Sequence, residues 1–129
     1  MALYKRTIID EISHLLGTGD IVVIHGARQV GKTSILMYLQ DQLLSSGERT
    51  LYIDLEDSRF VSMIDKGVDE FITFLTEQGF DLAGHRQTSR KLFIMIDEIQ
   101  YLANPSSFLK LLADHRHYLK VIVSGSSNF

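Results

Sequence analysis

Cysteine is absent from this 129-residue chain, which excludes disulfides, iron–sulfur clusters and thiolate zinc sites. The absence fits a reducing compartment, and a cytoplasmic location is the expectation. No apolar run approaches the roughly 20 residues that a membrane-spanning helix requires. The opening MALYKRTIIDEISHLL reaches acidic residues too early for a secretory signal. A strong excess of positive charge is also missing: the net charge is -3, so nucleic acid is not indicated as a partner. Residues 82–129 do carry six bases against three acids, while residues 54–81 carry eight acids against two bases. Two solvated surfaces explain that split, with a weak basic patch in the second region as the alternative. Internal repeats, low-complexity tracts and domain linkers are lacking. What remains is 45% hydrophobic with a single proline, enough apolar chain for one soluble domain with a real core.

Its apolar residues fall into alternating patterns. Thr7 can cap a first helix with Ile8, Ile12, Leu15 and Leu16 on one face, ending at Gly17 or Gly19. Ile21–Ile24 is continuously apolar, as in a strand covered on both faces. Ile35, Leu36, Leu39 and Leu43 recur at helical spacing before the breaker Ser45-Ser46-Gly47. A second strand is expected over 50–54. After the polar LEDSRF, a helix follows with Val68, Phe71, Ile72 and Leu75 as its buried stripe. Residues 79–90 have no periodicity and read as an exposed connection. Leu92–Ile96 and Leu119–Val123 are the third and fourth strands, and Asn104-Pro105 starts the helix between them. Strands buried on both faces and alternating with helices predict a parallel sheet in an α/β fold. Ligands in such folds gather beyond the carboxyl ends of the strands, where three polar clusters are expected: Gly26–Thr33, Asp97-Glu98 and Ser124–Asn128.

The first cluster, GARQVGKTS, places Gly26, Gly31, Lys32 and Thr33 in the spacing G-x-x-x-x-G-K-[ST]. Tight turning around phosphates needs backbone conformations and clearance that side chains obstruct, which gives Gly26 and Gly31 a mechanical role. The loop's amides then point inward and the following helix adds its amino-terminal dipole. The nucleotide-binding stretch is expected to comprise Gly26, Ala27, Arg28, Gln29, Val30, Gly31, Lys32, Thr33 and Ser34. Lys32 can reach the β and γ phosphates, and the Thr33 hydroxyl can ligate Mg²⁺. A glycine-rich turn that merely joins strand to helix is the plain alternative. Arg28, a long cation inside the loop, can contact phosphate, pair with an acid such as Glu98, or point outward.

In LFIMIDEIQ a strand delivers Asp97 to its carboxyl end, where it can hold magnesium through water, and Glu98 can polarise the attacking water or accept its proton. Acids after a strand also cap helices, so the pair gains its meaning from the glycine loop. Gln100 can position Glu98 or the water, or lie on the surface. In SGSSNF, residues 124–129, Ser124, Ser126 and Asn128 are all candidates to sense the γ phosphate; a Ser/Gly turn is the plain reading. His25 reads as a packed or hydrogen-bonded strand-end residue. His115 and His117 lack partners for zinc.

The blocks GARQVGKTSIL, TLYIDLED, KLFIMIDEIQYL and VIVSGSS occur in order, and over residues 5–129 the chain resembles the amino-terminal ATPase core of a prokaryotic AAA+ family. Members begin with a G-x-R-Q-x-G-K-[ST] loop, use D-E-I-Q after the third strand and T/S-G-S after the fourth. The resemblance implies a three-layer P-loop NTPase fold with strand order 5-1-4-3-2. It implies Lys32 and Thr33 as the phosphate and magnesium residues, Asp97 and Glu98 as the acidic pair, and Ser124 or Ser126 as the sensor region. Members usually continue into a poorly characterised carboxyl-terminal domain. Residues 1–129 are therefore expected to be a partial domain, without the fifth strand, helical lid and carboxyl-terminal domain, and with an unpaired apolar edge open to self-association or a protein partner.

The function expected is Mg²⁺-dependent ATP binding with hydrolysis to ADP and phosphate, with Glu98 and Lys32 as catalytic residues and Thr33 and Asp97 at the metal. ATP rather than GTP follows from the resemblance and from the absence of an N/T-K-x-D guanine-reading segment. A nucleotide-binding switch or interaction module with little or no turnover is the main alternative. A small-molecule kinase is disfavoured by the lack of an acceptor pocket or arginine-rich lid.

Overall fold

Each of the four apolar runs forms a strand: β1 Val22–His25, β2 Arg49–Asp54, β3 Leu92–Asp97 and β4 Leu119–Gly125. All pairings are parallel, in the order β1-β4-β3-β2, with Val22 beside Ile122, Met95 beside Ile122, and Asp54 beside Asp97. The computed structural model describes residue 10 and residues 12–26, 31–80, 91–115 and 117–126. The expected cap at Thr7, with Ile8, lies outside them, and residues 12–15 are helical.

Parallel neighbours need crossovers, and helices supply them. Helix α1 Lys32–Ser45 leads from β1 to β2; α2 Ser58–Asp65 and α3 Val68–Glu77 lead from β2 to β3; α4 Pro105–Leu112 leads from β3 to β4. Local chemistry sets their ends. The chain leaves α1 through Gly47 at φ 84°, which lets the Glu48 amide return to the Leu43 carbonyl at 2.9 Å. Asn104 caps α4 by accepting the Ser107 amide at 3.1 Å, with Pro105 in the first turn.

The helices lie in two layers, sorted by the two-residue period of the strands. Ile35, Leu36 and Leu39 of α1 pack with Val22, Ile24, Met95 and Ile122 on one face. On the other, Phe71 and Leu75 of α3 and Phe108 and Leu112 of α4 pack with Ile94, Ile96, Val121 and Val123. The Phe71 and Phe108 rings meet edge to face, 5.6 Å between centroids. Continuing the period toward the carboxyl ends places Tyr52, Asp97 and Ser124 on the α1 side of the sheet. That phase positions the site.

Three local expectations need correction. β1 is not covered on both faces: its residues alternate buried and exposed, with Val23 38% exposed, because Val23 and His25 face an open hollow beside Ser106, Leu109 and Lys110 of α4 rather than a packed layer. The polar LEDSRF is not a plain connection. It contains the start of α2, where Asp57 accepts the Arg59 amide at 2.9 Å and Ile64 is buried one turn after Phe60 and Val61. β4 runs on through Gly125, so Ser124 belongs to the strand rather than to a turn beyond it.

At the amino-terminal end of the interior strand β4, away from the site, Lys120 is buried at 2% exposure. Its ammonium donates to the Thr18 carbonyl at 2.9 Å, to Thr18 Oγ1 at 3.2 Å and to the Asp20 carbonyl. Three acceptors for three N–H donors explain how a lysine sits in the interior. Burial pushes its pKa down, the nearby Lys91 charge adds to this, and Asp20 partly opposes it.

Candidate functional site

β1 ends at His25, whose side chain is exposed, and the chain turns through Gly26 at φ 147°. It enters α1 through Gly31 at φ 75° and ψ 34°, a left-handed conformation that glycine adopts without strain. Residues 27–30 between them, which include the expected Ala27, Arg28, Gln29 and Val30 contacts, lie outside the described residues. Lys32 closes the loop from within. Its side chain is only 2% exposed and its ammonium donates to the Gly26 carbonyl at 2.7 Å. Thr33 and Ser34 follow, exposed, in the first turn of α1, where helix amides have no intrahelical acceptor.

Asp97 is the hub. Exposed by 2%, its carboxylate accepts three hydroxyls from three elements. Thr33 Oγ1 of α1 and the Tyr52 hydroxyl of β2 each donate to Oδ2 at 2.6 Å, and the Ser124 hydroxyl of β4 donates to Oδ1. A carboxylate removed from water at this depth requires such donors. Burial raises the Tyr52 pKa far above the ordinary tyrosine range; its bond to Asp97 and the charges of Asp97, Asp54 and Glu98 push the same way. Tyr52 is thus a hydroxyl donor throughout the neutral range.

Glu98 is joined to this hub through its backbone. Its amide donates to Ser124 Oγ at 3.0 Å, so the fully buried Ser124 hydroxyl both accepts from Glu98 and donates to Asp97. Among the described residues Glu98 alone is a non-glycine with positive φ, at 65° with ψ 53°. Left-handed backbone costs an ordinary L-residue about 1–2 kcal/mol. Here the bonds around it hold the conformation, turning the chain sharply from β3 into the 3₁₀ turn Ile99–Tyr101. Gln100 in that turn donates from Nε2 to Glu98 Oε1 at 2.6 Å and to Ser126 Oγ at 2.9 Å, and its Oε1 accepts the Ser126 amide at 3.2 Å.

Gly26, Gly31, Lys32, Thr33, Asp97, Glu98 and Ser124 therefore converge at the carboxyl ends of β1, β3 and β4, with Asp97 and Ser124 still within their strands. Ser126 is tied in through Gln100, while Asn128 lies outside the described residues. Tyr52 is the site residue that sequence reasoning missed. Its signal was the period of TLYID, which puts Tyr52 and Asp54 on one face, but only the register beside β3 brings that face to Asp97. Hydroxyl and carboxylate oxygens 2.6 Å apart are a hard-donor set that suits magnesium, so the residues present fit the ion that the loop pattern implies. Among the described residues no helix is long and apolar enough to cross a membrane.

No curated protein matches the chain in sequence. Solved structures do match in fold. PCH-2 from C. elegans aligns with a TM-score of 0.64 at 13% identity, covering 96% of this chain and 38% of that one. AMPPCP-bound DnaA from Aquifex aeolicus gives 0.60 at 18%, covering 95% and 38%. A DNA replication initiation factor gives 0.59 at 15%, covering 94% and 36%. The chain thus spans less than two fifths of the length of each of these proteins. A family model described as an AAA domain matches residues 18–129. With that match, and with a parallel sheet ordered as in its structural neighbours, the chain belongs to the AAA domain family and carries the α/β core of an AAA+ P-loop ATPase.

Proposed function

We propose that this chain binds ATP with Mg²⁺ and hydrolyses it to ADP and phosphate. The observation that carries the reading is the 2.6 Å contact between Thr33 Oγ1 and Asp97 Oδ2, formed beside the buried Lys32 at the end of the glycine loop. Family membership supports nucleotide binding, and the residues supply the rest. Gly26–Ser34 would wrap the phosphates with backbone amides, Ala27, Arg28, Gln29 and Val30 included. Lys32 exchanges the Gly26 carbonyl for β and γ phosphate oxygens, a stronger, charge-assisted bond. Thr33 and Asp97 would hold magnesium, which when bound offsets charge developing on the phosphates.

Glu98 orients a water against the γ phosphorus. As the water oxygen bonds to phosphorus, the bond to the β–γ bridging oxygen breaks and ADP departs with that electron pair. The water's proton passes to Glu98. Ser124, already bonded to both Asp97 and the Glu98 amide, fixes the two acids relative to one another and would sense the γ phosphate through them. Tyr52 and Ser124 keep Asp97 aimed at the loop. Adenine selection rests on the family and the missing guanine-reading segment alone. In this reading residues 1–129 are the phosphate-handling part of a longer protein, consistent with their coverage of structural neighbours.

The test separates binding from chemistry at Glu98. In the full-length protein, Glu98→Gln is expected to keep MgATP affinity, measured by calorimetry, within about threefold while lowering phosphate release by roughly 10²-fold. Near-normal turnover in that variant would remove Glu98 from water activation. MgATP binding by the unsubstituted protein with no phosphate release would establish a nucleotide switch instead.

A further inference from the structure

We propose that Gln100 is a positioning residue that couples Glu98 to Ser126, so that an acceptor oxygen arriving at the end of β4 changes where the Glu98 carboxylate is held. The inference deepens the hydrolytic reading and rests on it for the role of Glu98.

A primary carboxamide has two N–H donors and a carbonyl acceptor. In Gln100 one donor goes to Glu98 Oε1 at 2.6 Å, the other to Ser126 Oγ at 2.9 Å, and the acceptor takes the Ser126 amide at 3.2 Å. The orientation of the group is dictated by its neighbours. Turned over, it would set its carbonyl oxygen against the Glu98 carboxylate and its NH₂ against the Ser126 N–H, opposing acceptor to acceptor and donor to donor. Two of its three bonds thus lie on Ser126 and one on the proposed water-orienting acid. A shift of Ser126 moves the amide, and the amide moves the carboxylate.

Both ends of this connection are built to respond. β4 is buried along its whole length from Leu119 to Gly125, and Ser126 is the first residue beyond it, half-buried. It is therefore where a rigid strand first meets the space next to the loop. A γ-phosphate oxygen is a stronger acceptor than an amide carbonyl and would compete with Gln100 Oε1 for the Ser126 N–H. At the other end, Glu98 has a left-handed backbone that its own residue type does not favour, and its amide is pinned to Ser124 two residues before Ser126. The side chain takes its position from what bonds to it. A diphosphate lacks the γ oxygens and leaves the Ser126–Gln100 pairing intact.

The test uses the full-length protein with Gln100→Ala, Gln100→Glu and Glu98→Gln, together with the side-chain amide NMR signals of Gln100, assigned by their loss in Gln100→Ala. Gln100→Ala is expected to lower kcat about 10-fold with KM within about threefold. Gln100→Glu, which sets a second carboxylate against Glu98, should lower kcat further. In the Glu98→Gln background Gln100→Ala should have no additional effect, because its influence passes through Glu98. The Gln100 signals should differ between MgADP and Mg-AMPPCP. An undiminished loss in the Glu98→Gln background, or identical signals with the two nucleotides, overturns the coupling. Phosphate release with immobile Gln100 signals leaves hydrolysis standing and removes the coupling. Triphosphate-dependent movement without phosphate release supports the coupling and overturns hydrolysis.

Discussion

The Tyr52 hydroxyl and the Thr33 hydroxyl converge on the same oxygen, Asp97 Oδ2, each at 2.6 Å, one from β2 and one from α1. Thr33 can offer an ion a lone pair while its O–H still points at Asp97, but a share of its oxygen's electron density then goes to the metal, whereas Tyr52 serves the carboxylate alone. Removing the Tyr52 hydroxyl should therefore loosen Asp97 at the moment it is needed. Tyr52→Phe is expected to raise the Mg²⁺ concentration for half-maximal nucleotide binding about 10-fold or more, the low end of what one hydrogen bond to a charged group contributes. Titrations with Mg²⁺ at fixed ATP would show it. Equal Mg²⁺ dependence in the two proteins would make Tyr52 a packing residue only.

Lys32 already has a carbonyl partner, so its replacement acts on two states. Lys32→Ala should weaken MgATP binding by roughly 10²-fold or more, since a phosphate-facing cation in a partly desolvated site is worth several kcal/mol. Calorimetry on both proteins measures this. Unchanged affinity would defeat the assignment of the loop.

Lys120 ties the segment before β1 to the middle of the sheet. Lys120→Met keeps the buried stem and removes the donor from the Thr18 and Asp20 carbonyls, for an expected loss of about 1–3 kcal/mol at neutral pH. The sign of its pH dependence follows from its lowered pKa. The unfolded chain keeps this proton up to the ordinary lysine value of about 10.4, the folded chain releases it earlier, and stability from this group rises with pH across that window. Denaturant titrations at neutral and alkaline pH should show the gap between wild type and Lys120→Met widening on the alkaline side. A constant or shrinking gap would count against a lysine whose charged form is disfavoured by burial.

The position of the glycine loop and of the acidic pair at one end of the sheet, and the α/β class, were legible because each is written in a few consecutive residues. Gly26, Gly31, Lys32 and Thr33 announce themselves by spacing, and Asp97 by the apolar run before it. The order β1-β4-β3-β2 was legible through the family resemblance. Tyr52 was not, because its bond depends on β2 lying beside β3 in one register out of several. The Gln100–Ser126 bridge joins two segments whose approach no local pattern encodes. β1 misled for a different reason: Ile21–Ile24 is apolar at every position, and composition cannot tell a face that is covered from one that is bare. In LEDSRF the cap at Asp57 was present, but the polar residues around it masked the Phe60, Val61 and Ile64 stripe.

The parallel pairing of Val22 with Ile122 also constrains the order of assembly. β1 carries the chain into the glycine loop, yet its hydrogen-bonded neighbour is made about a hundred residues later. At about 5–20 residues per second of synthesis, the loop's leading strand waits on the order of seconds for β4. α1 can coil locally in that interval, but the arrangement of Gly26, Asp97 and Ser124 cannot exist before β4 docks. Nucleotide competence should thus appear only after β4 docks and be lost early when β4 detaches, making the site a reporter of the β1–β4 contact.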